Sequence, residues 1–381
     1  MLVSAAAVDE AAARLRGIVR ATPVLAADAI GRAAGRTVLL KPEQLQRTGS
    51  FKIRGAYNRI AQLDAGVAVV AASAGNHAQG VALAALLTGR TATIFMPATA
   101  PLPKVDATSA YGATIELVDG LVDEAIVAAR QHASSTGAVF VPPFDDPMII
   151  AGQGTIGLEL LREAPDATTV IVPVGGGGLI SGIGVALKAR RPEIRLVGVQ
   201  PAAGPARTMA DGNAVKSPSA LTREHMDALV DEMVTVTEEE ISRAVVLLLE
   251  RAKAVVEPAG AVSVAALPHI GGDGPVVAVL SGGNVDPLLL TKLIDHGLSA
   301  AGRFLVLRLV VGDRPGALAD LTAAVAAMGL NVLSVEHHRA GLDLAVDEVE
   351  VVLTLETRDP AHREQVCADL RGAGYRVELL R

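Results

Sequence analysis

Tryptophan is missing from this chain altogether, and its other aromatic residues come to five phenylalanines and three tyrosines. Platforms that stack nucleic-acid bases need several such rings, so the composition speaks against that role. Cysteine occurs once, at Cys367, which rules out an internal disulfide and a CxxC metal site. Basic runs are absent, and 41 acidic residues outnumber 34 basic ones for a net charge of −7. That balance argues against nucleic acid and anionic membrane as partners. Half of the residues are apolar, yet no uninterrupted apolar segment is long enough to span a bilayer. The opening MLVSAAAVDEAAARLRG carries Asp9 and Glu10 early and reads as an amphipathic helix, not as an export signal. A cytoplasmic location is the resulting expectation. Internal repeats and low-complexity linkers are also absent.

What the chain does have is 38 glycines and a regular alternation of short apolar runs with helical patterns. The runs Val38–Leu40, Val67–Ala71, Thr91–Phe95, Thr114–Val118, Val139–Val141, Thr169–Val174, Arg195–Val199 and Pro275–Leu280 read as strands. Amphipathic stretches such as Leu121–Ser134 and Met148–Glu163 read as the helices between them, giving an α/β fold with a largely parallel sheet. Thr237 and Glu240 form a capping box before the helix Ile241–Arg251. The pattern changes near Gly297–Gly302. From Arg303 the order is strand Phe304–Val311, helix Gly316–Met328, strand Asn331–His338, strand Glu348–Glu356, helix Ala361–Gly372 and strand Arg376–Leu380. This βαββαβ order predicts a second, smaller domain over 303–381, after a first domain over 1–298. Asp313-Arg314-Pro315-Gly316 marks its first helix start, with Pro315 in the N-terminal turn.

Three glycine loops and one lysine carry the chemistry. In Thr48-Gly49-Ser50-Phe51-Lys52, Ser50 is a good N-cap, which puts Lys52 in the first turn of a helix. The helix dipole and burial against Phe51 both favour a neutral amine there, the form a Schiff-base nucleophile needs. The strand ending at Val174 runs into Gly175-Gly176-Gly177-Gly178. One or two glycines satisfy a tight turn, whereas four in a row favour a cradle of N–H groups for a phosphate. The spacing fits neither a dinucleotide fingerprint nor a Walker motif, so the phosphate belongs to a small cofactor. An imine-forming lysine with a monophosphate cradle points to pyridoxal 5'-phosphate. Ser73-Ala74-Gly75-Asn76-His77 follows another strand and suits a carboxylate, although capping alone accounts for Ser73 and Asn76. A lone His77 reads first as a structural histidine. Ser281-Gly282-Gly283-Asn284 is the third loop and closes the pocket from another side.

Taken in order, Ser50 to Ala56, Ser73 to Gly80, Gly152 to Thr155, Gly175 to Leu179, Ala210 to Gly212 with Lys216-Ser217-Pro218, Glu257 to Gly260 and Ser281 to Asn284 resemble the fold-type II pyridoxal-phosphate enzymes, in the threonine dehydratase and serine racemase branch. The tail from Arg303 resembles an ACT domain. The resemblance implies two open twisted α/β subdomains followed by a ferredoxin-like ACT module. It implies that Lys52 carries the cofactor covalently, with Phe51 packed on one ring face and Asn76 on the ring hydroxyl. It further implies that Gly175, Gly176, Gly177 and Gly178 hold the phosphate and Ser281 faces the ring nitrogen. Ser73, Gly75, Asn76 and His77 would receive the substrate carboxylate, and Ser217 the substrate hydroxyl. A neutral serine at the nitrogen favours β-elimination over transamination. The implied reaction is dehydrative deamination of L-threonine to 2-oxobutanoate and ammonia, with L-serine to pyruvate as a further substrate, in amino-acid catabolism or isoleucine precursor supply. The alternative is a serine or hydroxyaspartate racemase, whose second acid/base serine is replaced here by Ala74. The branch's cation-binding acid is replaced by Gln200, so no metal is expected. An amino-acid effector would meet Asp313–Leu318 and Asn331, and a homodimer or homotetramer is expected.

Overall fold

The computed structural model describes residues 1–204, 208–215, 217–339 and 344–380. It divides into two compact units, Met1–Leu290 and Thr291–Arg381. The first holds β1 (Leu25–Ala26), β2 (Val38–Pro42), β3 (Val69–Ala72), β4 (Ala92–Pro97), β5 (Thr114–Val118), β6 (Val139–Phe140), β7 (Thr169–Pro173), β8 (Arg195–Pro201), β9 (Glu232–Val236) and β10 (Val276–Leu280). These form two sheets, ordered β5-β4-β3-β6 and β1-β2-β10-β7-β8-β9. Every pairing is parallel except that of β1 with β2. Every residue of β3, β7 and β10 is buried, as expected of central parallel strands covered on both faces. Each fully buried valine or isoleucine there contributes roughly 1.5–3 kcal/mol.

The expected runs all became strands, with ends shifted by a residue or two. Two edge strands were not anticipated. β1 is two exposed residues, and β9 alternates half-buried and exposed positions up to its buried last residue, Val236, so neither has the apolar run that marks a central strand. The Thr237–Glu240 capping box forms as expected and opens the helix Glu238–Leu247.

Three helices around the site pack backbone to backbone, and glycines permit it. A Cβ on Gly152 of helix Pro147–Glu163 would stand 2.6 Å from Gly55 Cα of helix Lys52–Ile60. One on Gly154 would stand 2.8 Å from the carbonyl of Gly182, in helix Gly178–Lys188. The Gly-Gln-Gly-Thr motif is therefore a packing device that lets the lysine-bearing helix lie close to its neighbour.

The second unit contains β11 (Phe304–Gly312), β12 (Val332–His338), β13 (Glu348–Glu356) and β14 (Arg376–Leu379), in the antiparallel order β12-β13-β11-β14. β11 and β13 alternate buried and half-buried residues; Leu305, Leu307, Leu309, Val351 and Leu353 pack with Leu321, Val325, Val366 and Leu370 of helices Ala317–Ala327 and Pro360–Gly372. The βαββαβ order is as expected. The first helix starts one residue late, because Gly316 takes a left-handed φ of 92° as its N-cap and leaves Pro315 outside the helix.

Candidate active site

Lys52 opens its helix, but Ser50 does not cap it. Ser50 instead forms a β-bridge with Gly282, and Phe51 N–H donates to the Ser281 carbonyl at 3.1 Å. Those two contacts tie Ser50 and Phe51 to the third loop, so Phe51, already at helical dihedrals, becomes the cap residue and the buried Ser50 hydroxyl has no partner among the described residues. The first-turn position of Lys52 survives this correction.

The Lys52 side chain is only partly covered by area, yet its amine is withdrawn: Nζ donates to the Pro143 carbonyl at 3.0 Å and stands 5.1 Å from the Phe51 ring centre. Burial lowers its pKa to about 8, against an opposing pull from the Glu257 carboxylate. The amine is therefore neutral in about a tenth of molecules at pH 7 and in about half at pH 8, a shift produced by desolvation.

Loops at the carboxyl ends of β3, β6, β7 and β10 surround this amine, which is where open parallel sheets place ligands. After β3, Ser73 Oγ accepts from Gly75 N–H at 3.1 Å, and helix Asn76–Leu87 begins without a side-chain cap. Asn76 Nδ2 donates to Glu257 Oε1 at 2.6 Å, and Asn76 Oδ1 accepts from Asn284 Nδ2 at 2.7 Å. These two bonds fix which end of the amide faces which partner. The His77 ring turns away to the Val141 carbonyl at 2.8 Å, and burial beside Lys52 pushes its pKa down to about 3. Its side chain is structural, leaving only the backbone N–H at the loop. After β10, Ser281 is buried, its hydroxyl 3.4 Å from the Ala259 carbonyl.

The glycine loop after β7 is built as a cradle. No acceptor among the described residues meets the N–H groups of Gly175 to Leu179. A Cβ on Gly175 would lie 2.8 Å from the Gly212 carbonyl, one on Gly176 would enter the Phe144 ring, and Gly177 takes a φ of 87°. Side chains have no room there, and the N–H groups remain free for an anion. Pro143 and Phe144 sit between the two halves of the site, one receiving the lysine amine and the other lying against the cradle.

Of the residues singled out from the sequence, Phe51, Lys52 and Ser281 are joined by direct contacts, Asn76 is tied to the third loop through Asn284, and Gly175 to Gly178 connect to Lys52 through Pro143–Phe144. Ser73, Gly75 and His77 lie on the same loop as Asn76. Ser217 is exposed and makes no described contact with this cluster, and Lys216 lies outside the described residues. Sequence reasoning gave no role to Pro143, Phe144 or Glu257. Glu257 is 4% exposed, and burial together with the nearby Asp211 carboxylate pushes its pKa up to about 7. Its position just before Pro258 looks like an ordinary helix start; the partner that matters, Asn76, is 181 residues away.

On the other side of the lysine helix, the fully buried Arg54 guanidinium bridges two carboxylates: Nε to Glu43 Oε2 at 2.8 Å and Nη1 to Glu159 Oε1 at 2.6 Å. Lys41, also fully buried, adds a 2.6 Å pair to Glu159. Both charges hold Glu159 below its ordinary pKa against the opposing effect of burial.

In the second unit, Asp313–Leu318 and Asn331 of one chain lie at opposite ends of the sheet. Asp313 N–H bonds to the Asp347 carbonyl beside the start of β13, whereas Asn331 bonds to Glu356 at its end. The eight residue steps between separate them by roughly 27 Å.

The sequence over residues 15–282 matches the family "Pyridoxal-phosphate dependent enzyme", and residues 305–371 match the ACT domain. The L-threonine ammonia-lyase of Thermotoga maritima is 47% identical, with 98% of each chain covered, and that of Geobacter sulfurreducens is 45% identical with the same coverage. Among solved structures, a T.th. threonine deaminase superposes with a TM-score of 0.72 at 38% identity, over 74% of this chain and 99% of that one. Maize serine racemase gives 0.73 at 34% identity, over 78% and 99%. With the family match spanning most of its length, and with a withdrawn lysine beside a glycine loop of free N–H groups, the chain belongs to the pyridoxal-phosphate dependent enzymes and carries an ACT domain after its catalytic part.

Proposed function

We propose that this protein deaminates L-threonine to 2-oxobutanoate and ammonia, with L-serine as a second substrate. The observation that carries the reading is the withdrawn Lys52 amine, lowered to about 8, in a chain 47% identical from end to end to a protein of that activity. Three features support pyridoxal phosphate as the occupant: a cradle of N–H groups without partners among the described residues, a withdrawn lysine amine, and an Asn76 amide held by Glu257 and Asn284. Lys52 would hold the aldehyde carbon, Gly175 to Gly178 the phosphate, Asn76 the ring oxygen and Ser281 the ring nitrogen. When bound, the cofactor supplies an electron sink that acidifies the substrate Cα–H.

The chain's own residues do the rest. The freed Lys52 amine takes the Cα proton, which its lowered pKa allows without strong acid or base. N–H groups at the start of helix Asn76–Leu87, with Ser73 and Gly75 before it, hold the substrate carboxylate. Glu257 fixes the Asn76 amide and, near pH 7, exchanges its own proton readily. Phe51 and Phe144 line the site with apolar surface.

Racemisation is the second reading, favoured by the likeness to maize serine racemase. Ala74 speaks against it, because its methyl group has no proton to return to a second face. Keto-acid release across L-threonine, L-serine and their D-isomers tests the choice. Release of keto acid without accumulation of D-amino acid supports the lyase, and D-amino acid formed as fast as keto acid overturns it.

The ACT domain is read as a regulatory module that takes an amino-acid effector at Asp313–Leu318. Edge strand β12 exposes Val332, Leu333 and Val335, which supports assembly into a homodimer or homotetramer. No helix among the described residues is long and apolar enough to cross a membrane, and a cytoplasmic location is part of the proposal.

A further inference from the structure

Lys52 and Arg54 stand two residues apart on helix Lys52–Ile60. At about 100° per residue, their side chains leave on nearly opposite sides of it. One side faces the site, and the other carries the charge cluster behind it. All five N–H donors of Arg54 are committed there. Nε and Nη2 reach the two oxygens of Glu43, both at 2.8 Å. Nη1 and Nη2 reach the two oxygens of Glu159 at 2.6 and 3.0 Å, and Nη1 also donates to Thr155 Oγ1 at 3.1 Å. Glu43 belongs to the turn Glu43–Leu45 that leads into the lysine segment, whereas Thr155 and Glu159 belong to helix Pro147–Glu163.

That second helix also meets the lysine from the front, because the segment just before it supplies the Pro143 carbonyl that receives Nζ at 3.0 Å. It therefore touches Lys52 through its leading segment and Arg54 through its later turns. Between those points the contact is glycine on glycine, at Gly55 and Gly152. Such a contact lets two helices approach but offers no ridge to stop them sliding. Single bonds from Gly55 N–H to Gln153 Oε1 at 3.2 Å and from Asn58 Nδ2 to the Met148 carbonyl at 2.7 Å add to the register. The paired, charged bonds of Arg54 are the strongest of the set.

We propose that Arg54 is a positioning residue for Lys52: its fork on Glu159 sets the register of the two helices and thereby holds the lysine amine in its withdrawn place at the Pro143 carbonyl. Arg54→Lys keeps the charge but cannot fork onto two carboxylates. Glu159→Gln keeps the shape but removes the negative charge from the other helix. In either variant the lysine helix slips and water reaches Nζ, so its pKa climbs from about 8 toward the ordinary 10.5. The inference rests on Lys52 being the reactive amine, and not on which amino acid is the substrate.

Competitive acetylation of the full-length chain, freed of cofactor, tests it, with the Lys52 peptide followed by mass spectrometry against an added small amine. The parent midpoint is expected near 8. Arg54→Lys and Glu159→Gln should each raise it by about one unit, which slows labelling at pH 8 about fivefold. The double variant should move it no further than the larger single change, because both break one clamp. Ile194→Ala opens a cavity at the amino end of β8, away from the loops, and should lower the thermal unfolding temperature without moving the midpoint. On the cofactor-loaded protein, the acid-side midpoint of kcat for L-threonine should rise by the same step in both variants, with KM within twofold of the parent. A parent midpoint near 10.5 overturns this proposal together with the reading of Lys52 as the reactive amine. A parent midpoint near 8 that neither variant moves, or that Ile194→Ala moves as far, overturns the positioning role alone.

Discussion

Replacing Glu257 by glutamine alters the charge of the catalytic site while keeping its shape, and the pH dependence of stability reads the difference. Asn76 Nδ2 donates to Glu257 Oε1 at 2.6 Å, and a glutamine carbonyl can accept the same bond. The carboxyl group is raised from its ordinary 4.5 to about 7, first by burial and then by Asp211. A raised carboxyl stabilises the folded chain fully below the unfolded pKa, and that contribution is lost as pH rises through the folded pKa. A rise of about 2.5 units corresponds to about 3.5 kcal/mol at about 1.4 kcal/mol per unit. Most of this falls between pH 5 and pH 8. Losing the attraction between Glu257 and Lys52 trims the gain, so the variant should overtake the parent by about 2 kcal/mol across that window. Urea unfolding of the cofactor-free chain gives the measurement, followed by far-ultraviolet circular dichroism because there is no tryptophan to report. A stability difference between parent and variant that stays flat from pH 5 to pH 8 would refute the reasoning.

Four further outcomes are expected. Lys52→Ala should abolish keto-acid release and the absorbance band of lysine-bound cofactor, and retention of that band would remove the proposed link. Gly176→Ala drives a methyl group into the Phe144 ring, so retention of pyridoxal phosphate through dialysis should fall at least about tenfold, equivalent to about 1.4 kcal/mol. Arg54→Met leaves Glu43 and Glu159 buried without their shared cation, which should cost about 3–5 kcal/mol in thermal unfolding, and Arg54→Lys should recover only part because lysine cannot fork between two carboxylates. His77 should keep its imidazole neutral from pH 5 to pH 8, since its pKa is pushed down to about 3; proton NMR of the ring checks this, and a midpoint near 6.5 would contradict it.

Much of this was legible in the sequence because it is local. The first-turn lysine, the run of glycines after β7 and the capping box at Thr237 each declare themselves within a few residues. The parallel strands did so through continuous apolar runs, and the edge strands β1 and β9 failed to because an edge needs no such run. Ser50 was misread for a related reason: N-cap chemistry is local, but the bridge to Gly282 that overrides it is not. Arg54 and Lys41 look like surface residues until Glu43 and Glu159 are folded onto them. Glu257, Pro143 and Phe144 stayed hidden because their importance lies wholly in what they touch. The distance between Asn331 and Asp313–Leu318 within one chain was hidden too, because the order of strands does not give their length.

The stitching of the lysine segment to the third loop also sets a schedule. Asn284 bonds to the Thr48 carbonyl across 236 residues, beside the Ser50–Gly282 bridge. A ribosome adding about 5–20 residues per second needs roughly 12–47 s to deliver that second partner. For most of that interval Lys52 belongs to a nascent chain that lacks Glu257, and Ser281 arrives only three residues before Asn284. Its amine is an ordinary lysine during that interval, protonated and poorly nucleophilic. Loading of the cofactor therefore belongs to the last stage of synthesis, after the chain has passed residue 284.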